Sequence, residues 1–414
     1  MIVYQSTKES FTTDVETGTV EEIISAKYRA KLNRRVPNAE KRAWQNSLHY
    51  MSTVLRDDEI PDDSGISIEM QIPQTSKRID FIITGRSEQK KDYAVIVELK
   101  QWESAQRTNM DGIVQTFIGG GVREVSHPSY QAWSYAALLN DFNEAVYDGD
   151  IELKACSYLH NYIPNGALDD PFYKEHLEKA PVFMRPDLVK LREFIKDFVK
   201  YGDESDIIDR IENGRIRPSK MLADSLSSML KGNEEFIMID EQKVAFEYVM
   251  DAVLNHDYSG KKVIIIEGGP GTGKSVVAVN LLVKLTEKER FVSYVTKNSA
   301  PRTVYSSLLS GEMKKTRIDN LFKSSGSFVG ADPNMFDALI VDEAHRLNDK
   351  SGMFRNMGEN QIKELIQASK VAVFFIDEDQ RIHIHDIGEK GEIRKWAERA
   401  NAEIIETFRV SYFN

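Results

Sequence analysis

Apolar positions along the chain follow two different rhythms. Up to about residue 200, β-rich runs stand beside a helical opening. Residues 66–72 (ISIEMQI), 79–84 (IDFIIT) and 93–100 (YAVIVELK) read as strands, the last rich in β-branched and aromatic side chains. Residues 129–142 (SYQAWSYAALLNDF) read as a helix. From 241 onward the runs become short and fully apolar: Val263 to Ile266, then 291–296 (FVSYVT), 338–342 (ALIVD) and 371–376 (VAVFFI), with helical stretches such as VVAVNLLVKL between them. Short buried strands alternating with helices predict a parallel sheet covered on both faces. Residues 201–240 are charged and weakly patterned, with Gly202, Gly214, Pro218 and Gly232, and mark the expected boundary. The expected organisation is therefore 1–200, a connecting segment 201–240 and 241–414, with no internal repeat. Residues 161–240 carry no functional reading.

Bulk properties narrow this picture. The chain has 414 residues, 41% of them hydrophobic, enough for sizeable cores. No window approaches the roughly 18 uninterrupted apolar residues of a membrane span, and the opening MIVYQSTKESFTTDVE has no apolar signal region. Cys156 is the only cysteine, so no intrachain disulfide forms; a reducing, cytoplasmic setting with no membrane partner is expected. The net charge of −11 excludes a uniformly basic nucleic-acid coat but not a local patch. The densest basic stretch, KYRAKLNRRVPNAEKR (27–42), is open to two readings, a solvated face or a phosphate contact.

The segment GGPGTGKS fits the phosphate-binding pattern G-x-x-x-x-G-K-[ST] from Gly268 through Gly269, Pro270, Gly271, Thr272 and Gly273 to Lys274 and Ser275. It follows an expected strand and opens an expected helix. Glycines let backbone N–H groups turn toward phosphate, the helix N-terminus adds partial positive charge, Lys274 reaches the terminal phosphates, and the Ser275 hydroxyl is a magnesium ligand. The expected cofactor is ATP with Mg2+. ALIVDEAHR supplies the partner: Asp342 as the second magnesium-holding group and Glu343 as general base toward the attacking water.

Around these residues the chain resembles superfamily-one helicases, and within them a bacterial P-loop family allied to the Schlafen helicase-like domains. The resemblance covers about 240–414. It implies an adenine contact for Gln242, a place near a nucleic-acid strand for Thr296 in YVTKNSA, a γ-phosphate-sensing role for Gln380 in FFIDEDQRI, and proximity to the γ-phosphate for Arg409 in ETFRVS. The chain ends at Asn414, soon after Arg409. The expectation is thus a first RecA-like lobe only, binding ATP but hydrolysing it slowly and not unwinding duplex DNA. A partner subunit or a second copy would supply the arginine of the second lobe.

In the other half, Glu98 and Lys100 point to one face of their strand because alternate residues do. Asp80 sits between apolar residues in the neighbouring strand RIDFIIT. Two carboxylates and an ammonium on one sheet suit metal-dependent hydrolysis of a phosphodiester, with Mg2+ or Mn2+ on Asp80 and Glu98 and Lys100 orienting water. About residues 20–160 resemble the PD-(D/E)xK nucleases, with Ile-Asp in place of Pro-Asp. Gln131 and Tyr135, four residues apart on one helix face, resemble the QxxxY element of the RecB-like branch, which implies a positioning role. Glu40, on the core-facing stripe of a helix with Trp44, matches the family's first-helix glutamate, a supporting metal ligand. The expected fold is α/β: a restriction-endonuclease-like mixed-sheet domain followed by a RecA-like P-loop domain. The function this implies is a nuclease with an ATP-gated helicase-like module acting on DNA, in defence against foreign DNA. An RNA-directed nuclease and a non-cleaving, nucleotide-dependent binding module remain alternatives.

Overall fold

The computed structural model describes residues 3–32, 38–72, 75, 77–148, 151–216, 222–231, 233, 236–256, 260–310, 313–351, 357–380 and 386–410. The chain forms two compact units, Met1–Ser219 and Lys220–Asn414. The division falls inside 201–240. Ile207, Ile208 and Ile211 are buried in the first unit, whereas Leu226 and Met229 belong to the core of the second.

The first unit opens with β1 (Tyr4–Thr7), α1 (Lys8–Glu16), α2 (Val20–Leu32) and α3 (Asn38–Leu55). The strands β2 (Gly65–Gln71), β3 (Arg78–Arg86) and β4 (Asp92–Lys100) follow. A small sheet of β5 (Ala105–Arg107), β6 (Ile113–Ile118) and β7 (Gly121–Ser126) precedes α4 (Pro128–Phe142) and α5 (Glu144–Tyr147). Then come β8 (Ile151–Leu159), α6 (Lys174–Lys179), β9 (Val182–Met184), α7 (Leu188–Phe198) and α8 (Ile207–Asn213). The main sheet has the order β1-β2-β3-β4-β8-β9, antiparallel through β4 and parallel from β4 to β9. The parallel β4–β8 pair needs a crossover, and the segment containing α4 provides it.

Alternation divides the strands between two cores. Phe81, Ile83, Val95 and Val97 pack with Trp44, Leu48 and Met51 of α3 and Leu191 and Ile195 of α7. Ile82, Ala94 and Ile96 are also fully buried, on the opposite face, where α4 packs on β4 and β8. Burial on both faces explains why β4 reads as a nearly unbroken apolar run with Glu98 inside it. Each aliphatic side chain fully buried in this way contributes about 1.5–3 kcal/mol relative to exposure. Cys156 of β8 lies in the same core, and burial pushes its thiol pKa far above the ordinary value.

The second unit contains α9 (Leu222–Met229), α10 (Glu241–Leu254), β10 (Lys261–Gly268), α11 (Lys274–Glu287) and β11 (Val292–Val295). It continues with α12 (Ser299–Leu309), α13 (Lys315–Leu321), β12 (Phe322–Lys323), β13 (Phe336–Val341), α14 (Gln361–Ala368), β14 (Ser369–Ile376), α15 (Lys390–Arg399) and β15 (Ala402–Val410). Its six strands are all parallel, in the order β12-β11-β13-β14-β10-β15. Ile264, Ile266, Ile340 and Val373 face α10 and α11, and Val263, Ile265, Leu339 and Phe374 face α14 and α15. The first strand, β10, lies between β14 and β15, so the chain leaves it in one direction and returns on its other side. In open parallel sheets, ligands bind at the carboxyl ends of strands where the order reverses in this way. No helix among the described residues is long and apolar enough to cross a membrane.

A buried histidine holds α4 in place. The Nδ1 of His127 accepts the Ser129 N–H at 3.1 Å, capping the helix, and its Nε2 bonds the Leu168 carbonyl at 2.9 Å. Those two roles define the neutral tautomer with the proton on Nε2. Burial pushes the imidazole pKa down to about 4 from 6.5. As pH falls below 6.5 the unfolded chain takes up a proton that the folded chain refuses, so stability is lost progressively down to about 4. Between pH 7 and pH 5 this linkage amounts to about 2 kcal/mol. His127→Asn keeps a capping side chain and removes the titration. In urea unfolding at the two pH values, the parent should lose about 2 kcal/mol more than the variant; equal losses would remove His127 as the titrating group.

Candidate functional site

The P-loop joins β10 to α11. Gly271 and Gly273 adopt φ of +71° and +84°, which favour glycine. A Cβ on Gly273 would also meet Gln242 Nε2 at 2.3 Å. The Gln242 amide spans two segments: it donates to the Thr272 carbonyl at 2.8 Å and accepts the Ile239 N–H at 3.2 Å. Thr272 Oγ1 donates to the Gly269 carbonyl at 2.9 Å, and Lys274 Nζ donates to the carbonyls of Gly268 and Gly269, each at 2.6 Å. Pro270 lies in the turn between them. Burial lowers the Lys274 pKa, against the opposing pull of Asp377, Asp342 and Glu343.

Two neighbouring strands end in buried acids beside this loop. Asp342 follows β13, and its Oδ2 accepts from Ser275 Oγ at 2.8 Å. Asp377 follows β14, with Oδ2 3.8 Å from Lys274 Nζ and Oδ1 accepting the Asp379 N–H at 3.2 Å. Glu343 takes a left-handed backbone, φ +51°, and its Oε2 lies 3.4 Å from Arg346 Nε. Gln380 is half-buried in the turn after Asp377. Asp377 Oδ2 and both ring nitrogens of His345 are buried without a hydrogen-bond partner among the described residues. A glycine cradle, a desolvated lysine, a serine–aspartate pair and these polar atoms form a donor set that fits a nucleoside triphosphate with magnesium.

In the first unit, β3 and β4 set Phe81 opposite Val97, and the same register carries Asp80 opposite Glu98. Asp80 Oδ2 accepts the Leu99 N–H at 2.8 Å, and Lys100 Nζ donates to Glu98 Oε1 at 2.6 Å. Glu98 is 2% exposed. Gln131 Nε2 donates to Tyr135 Oη at 2.9 Å on α4, the helix that packs on β4. Among the described residues, no group of three or more His, Cys, Asp or Glu side chains is arranged to hold a metal ion. The two carboxylates of Asp80 and Glu98 are hard oxygen donors, and magnesium is commonly held through one or two such groups and water.

Thr296 is buried, and its hydroxyl accepts the Asn298 N–H at 3.3 Å. That bond lies at the turn between β11 and α12. The side chains of Glu40 and Arg409 lie outside the described residues. Three further residues escaped the sequence reading. Asp377 carried the same signal as Asp342, an acid closing an apolar run. Glu69 on β2, with φ +57°, accepts from Trp44 Nε1 at 2.8 Å and meets Arg78 Nη1 at 3.4 Å. Its signal was the only acid within ISIEMQI. Tyr294 gave none, because a buried aromatic in a strand reads as core.

Comparison with known proteins bears on the second unit. Residues 261–412 match the family model described as Schlafen group 3, DNA/RNA helicase domain. The chain is also 27% identical over 157 residues to the uncharacterized protein YPL245W of Saccharomyces cerevisiae, a match covering 33% of this chain and 33% of that protein. The chain spans about a third of the length of this curated relative. Residues 261–412 are therefore similar to the Schlafen helicase domains, and this similarity, with the P-loop geometry, points to a nucleic-acid-related ATPase module.

Proposed function

We propose that the chain is a magnesium-dependent nuclease joined to an ATP-binding, helicase-like module, acting on DNA in defence against foreign nucleic acid. The observation that carries the nuclease half is Asp80 opposite Glu98 on adjacent strands, with Lys100 paired to Glu98. A buried carboxylate in a strand with apolar neighbours is costly for folding and suits a catalytic use. The first unit is read as restriction-endonuclease-like and the second as a RecA-like lobe.

At the first site, Asp80 and Glu98 bind and orient. A divalent magnesium or manganese ion held by them would supply an activated water and offset charge on the phosphate. Lys100, paired with Glu98, would orient that water. Gln131 and Tyr135 fix the face of α4 presented to the sheet.

At the second site, the backbone N–H groups of Gly269, Gly271, Thr272 and Gly273 and those at the start of α11 donate to phosphate oxygens, and Lys274 contributes an ammonium. Ser275 and Asp342 would hold magnesium, whose charge offsets that of the phosphates. Glu343 would accept a proton from the attacking water. Gln242, which holds the loop that carries these groups, is assigned to the adenine, Gln380 to γ-phosphate sensing and Arg409 to a place near the γ-phosphate.

An RNA substrate is the second reading, favoured by the DNA/RNA description of the matching helicase family. Cleavage of matched labelled DNA and RNA separates the two. Glu98→Gln preserves an acceptor for Lys100 while removing the charge. It is expected to lower cleavage in magnesium or manganese by at least about 100-fold and to leave ATP affinity unchanged, since the P-loop belongs to the other unit. Cleavage at the parental rate would remove the site assignment, and binding without cleavage by the parent would favour a non-cleaving grip.

Lys274→Ala removes the ammonium assigned to the terminal phosphates. ATP affinity measured by titration calorimetry should fall by at least about tenfold while the unfolding temperature changes little. Equal affinities in parent and variant would exclude the phosphate site.

A further inference from the structure

Asp342 is held by more than the P-loop. Its Oδ2 accepts from Ser275 Oγ at 2.8 Å and from Tyr294 Oη at 2.5 Å, while Oδ1 accepts the Glu343 N–H at 2.9 Å. Tyr294 lies on β11, opposite Ile340 of β13, one strand over from the acid it serves. Its ring is 1% exposed and packs against Tyr305 of α12 and Phe322 of β12, with centroids 5.9 Å away in each case. The hydroxyl is thus a fixed donor set in an aromatic box.

A carboxylate turns freely about its Cβ–Cγ bond unless both oxygens are engaged. Here the Glu343 amide holds one oxygen and two hydroxyls converge on the other. Ser275 is also assigned to the cation, so its hydroxyl serves two partners. Tyr294 serves Asp342 from the rigid side of the sheet.

We propose that Tyr294 is a positioning residue of the nucleotide site, its hydroxyl locking the Asp342 carboxylate in the orientation that magnesium binding with Ser275 requires. The inference rests on the ATP–magnesium reading of the P-loop. Groups that orient a metal ligand typically change metal affinity by about 10–100-fold when removed. Tyr294→Phe deletes one hydroxyl and keeps the ring that fills the box. The loss should therefore appear in the magnesium-dependent part of nucleotide affinity alone.

The test measures the affinity of the full chain for a fluorescent ATP analogue, once with magnesium and once with EDTA. For Tyr294→Phe the magnesium affinity should fall by about tenfold or more, with the EDTA value within about twofold of the parent. Phe322→Leu disturbs the same aromatic box but leaves the hydroxyl. It should lower the unfolding temperature and keep the parental ratio of the two affinities. A parental ratio in Tyr294→Phe overturns the proposal, as does an equal fall in both arms. A ratio lost equally in Phe322→Leu also overturns it, because packing and not the hydroxyl would then be responsible. If the parent itself binds no nucleotide, or binds it equally with and without magnesium, the underlying site reading fails, and this inference with it.

Discussion

A carboxylate removed from water is tolerated only where donors surround it, and the end of β13 depends on that condition. Asp342 is 4% exposed and receives a backbone amide, a serine and a tyrosine from three different segments. Meeting it requires β11 to pair with β13 in one register and α11 to start within reach of both. The apolar strands that look like simple core are therefore also the frame that brings donors to one acid. Lys274 lives under the opposite constraint. Its ammonium is partly desolvated and is steadied by the carbonyls of Gly268 and Gly269 and by the charges of Asp377 and Asp342.

The first unit solves a similar problem with an antiparallel pair. Glu98 is buried within a strand covered on both faces, and its charge is met by Lys100 two residues on. Asp80, across the ladder, takes the amide of Leu99. Acid and base sit on the same face because the side-chain period of a strand is two. A one-residue slip of β3 against β4 would move Asp80 away from Glu98. The apolar partners on the other face, Phe81 with Val97 and Ile83 with Val95, hold the register.

Much of this was legible in the sequence because the relevant chemistry is local. The P-loop, the Asp342–Glu343 pair closing an apolar run and the Glu98–Lys100 spacing each lie within a few residues, and the strands of the parallel sheet stand out as short unbroken apolar runs. What was illegible depends on distant partners. Tyr294 is an apolar position until β13 is placed beside β11. Glu69 is an acid in a strand until Trp44 and Arg78 close on it. Within 201–240, α8 and α9 are short. Short helices leave too little periodicity to assign them to a core.

The one cysteine has a practical consequence. Cys156 sits on β8 with no exposed surface and a thiol held far from ionisation. Maleimides and disulfide reagents attack thiolates, so this position is silent toward them in the folded state. The native chain is in effect already a cysteine-free background for chemical labelling. A single cysteine introduced at an exposed position in either unit would be the sole reactive handle. A pair, one in each unit, would allow the distance between the two to be followed by energy transfer while nucleotide or nucleic acid is added, without first altering the core.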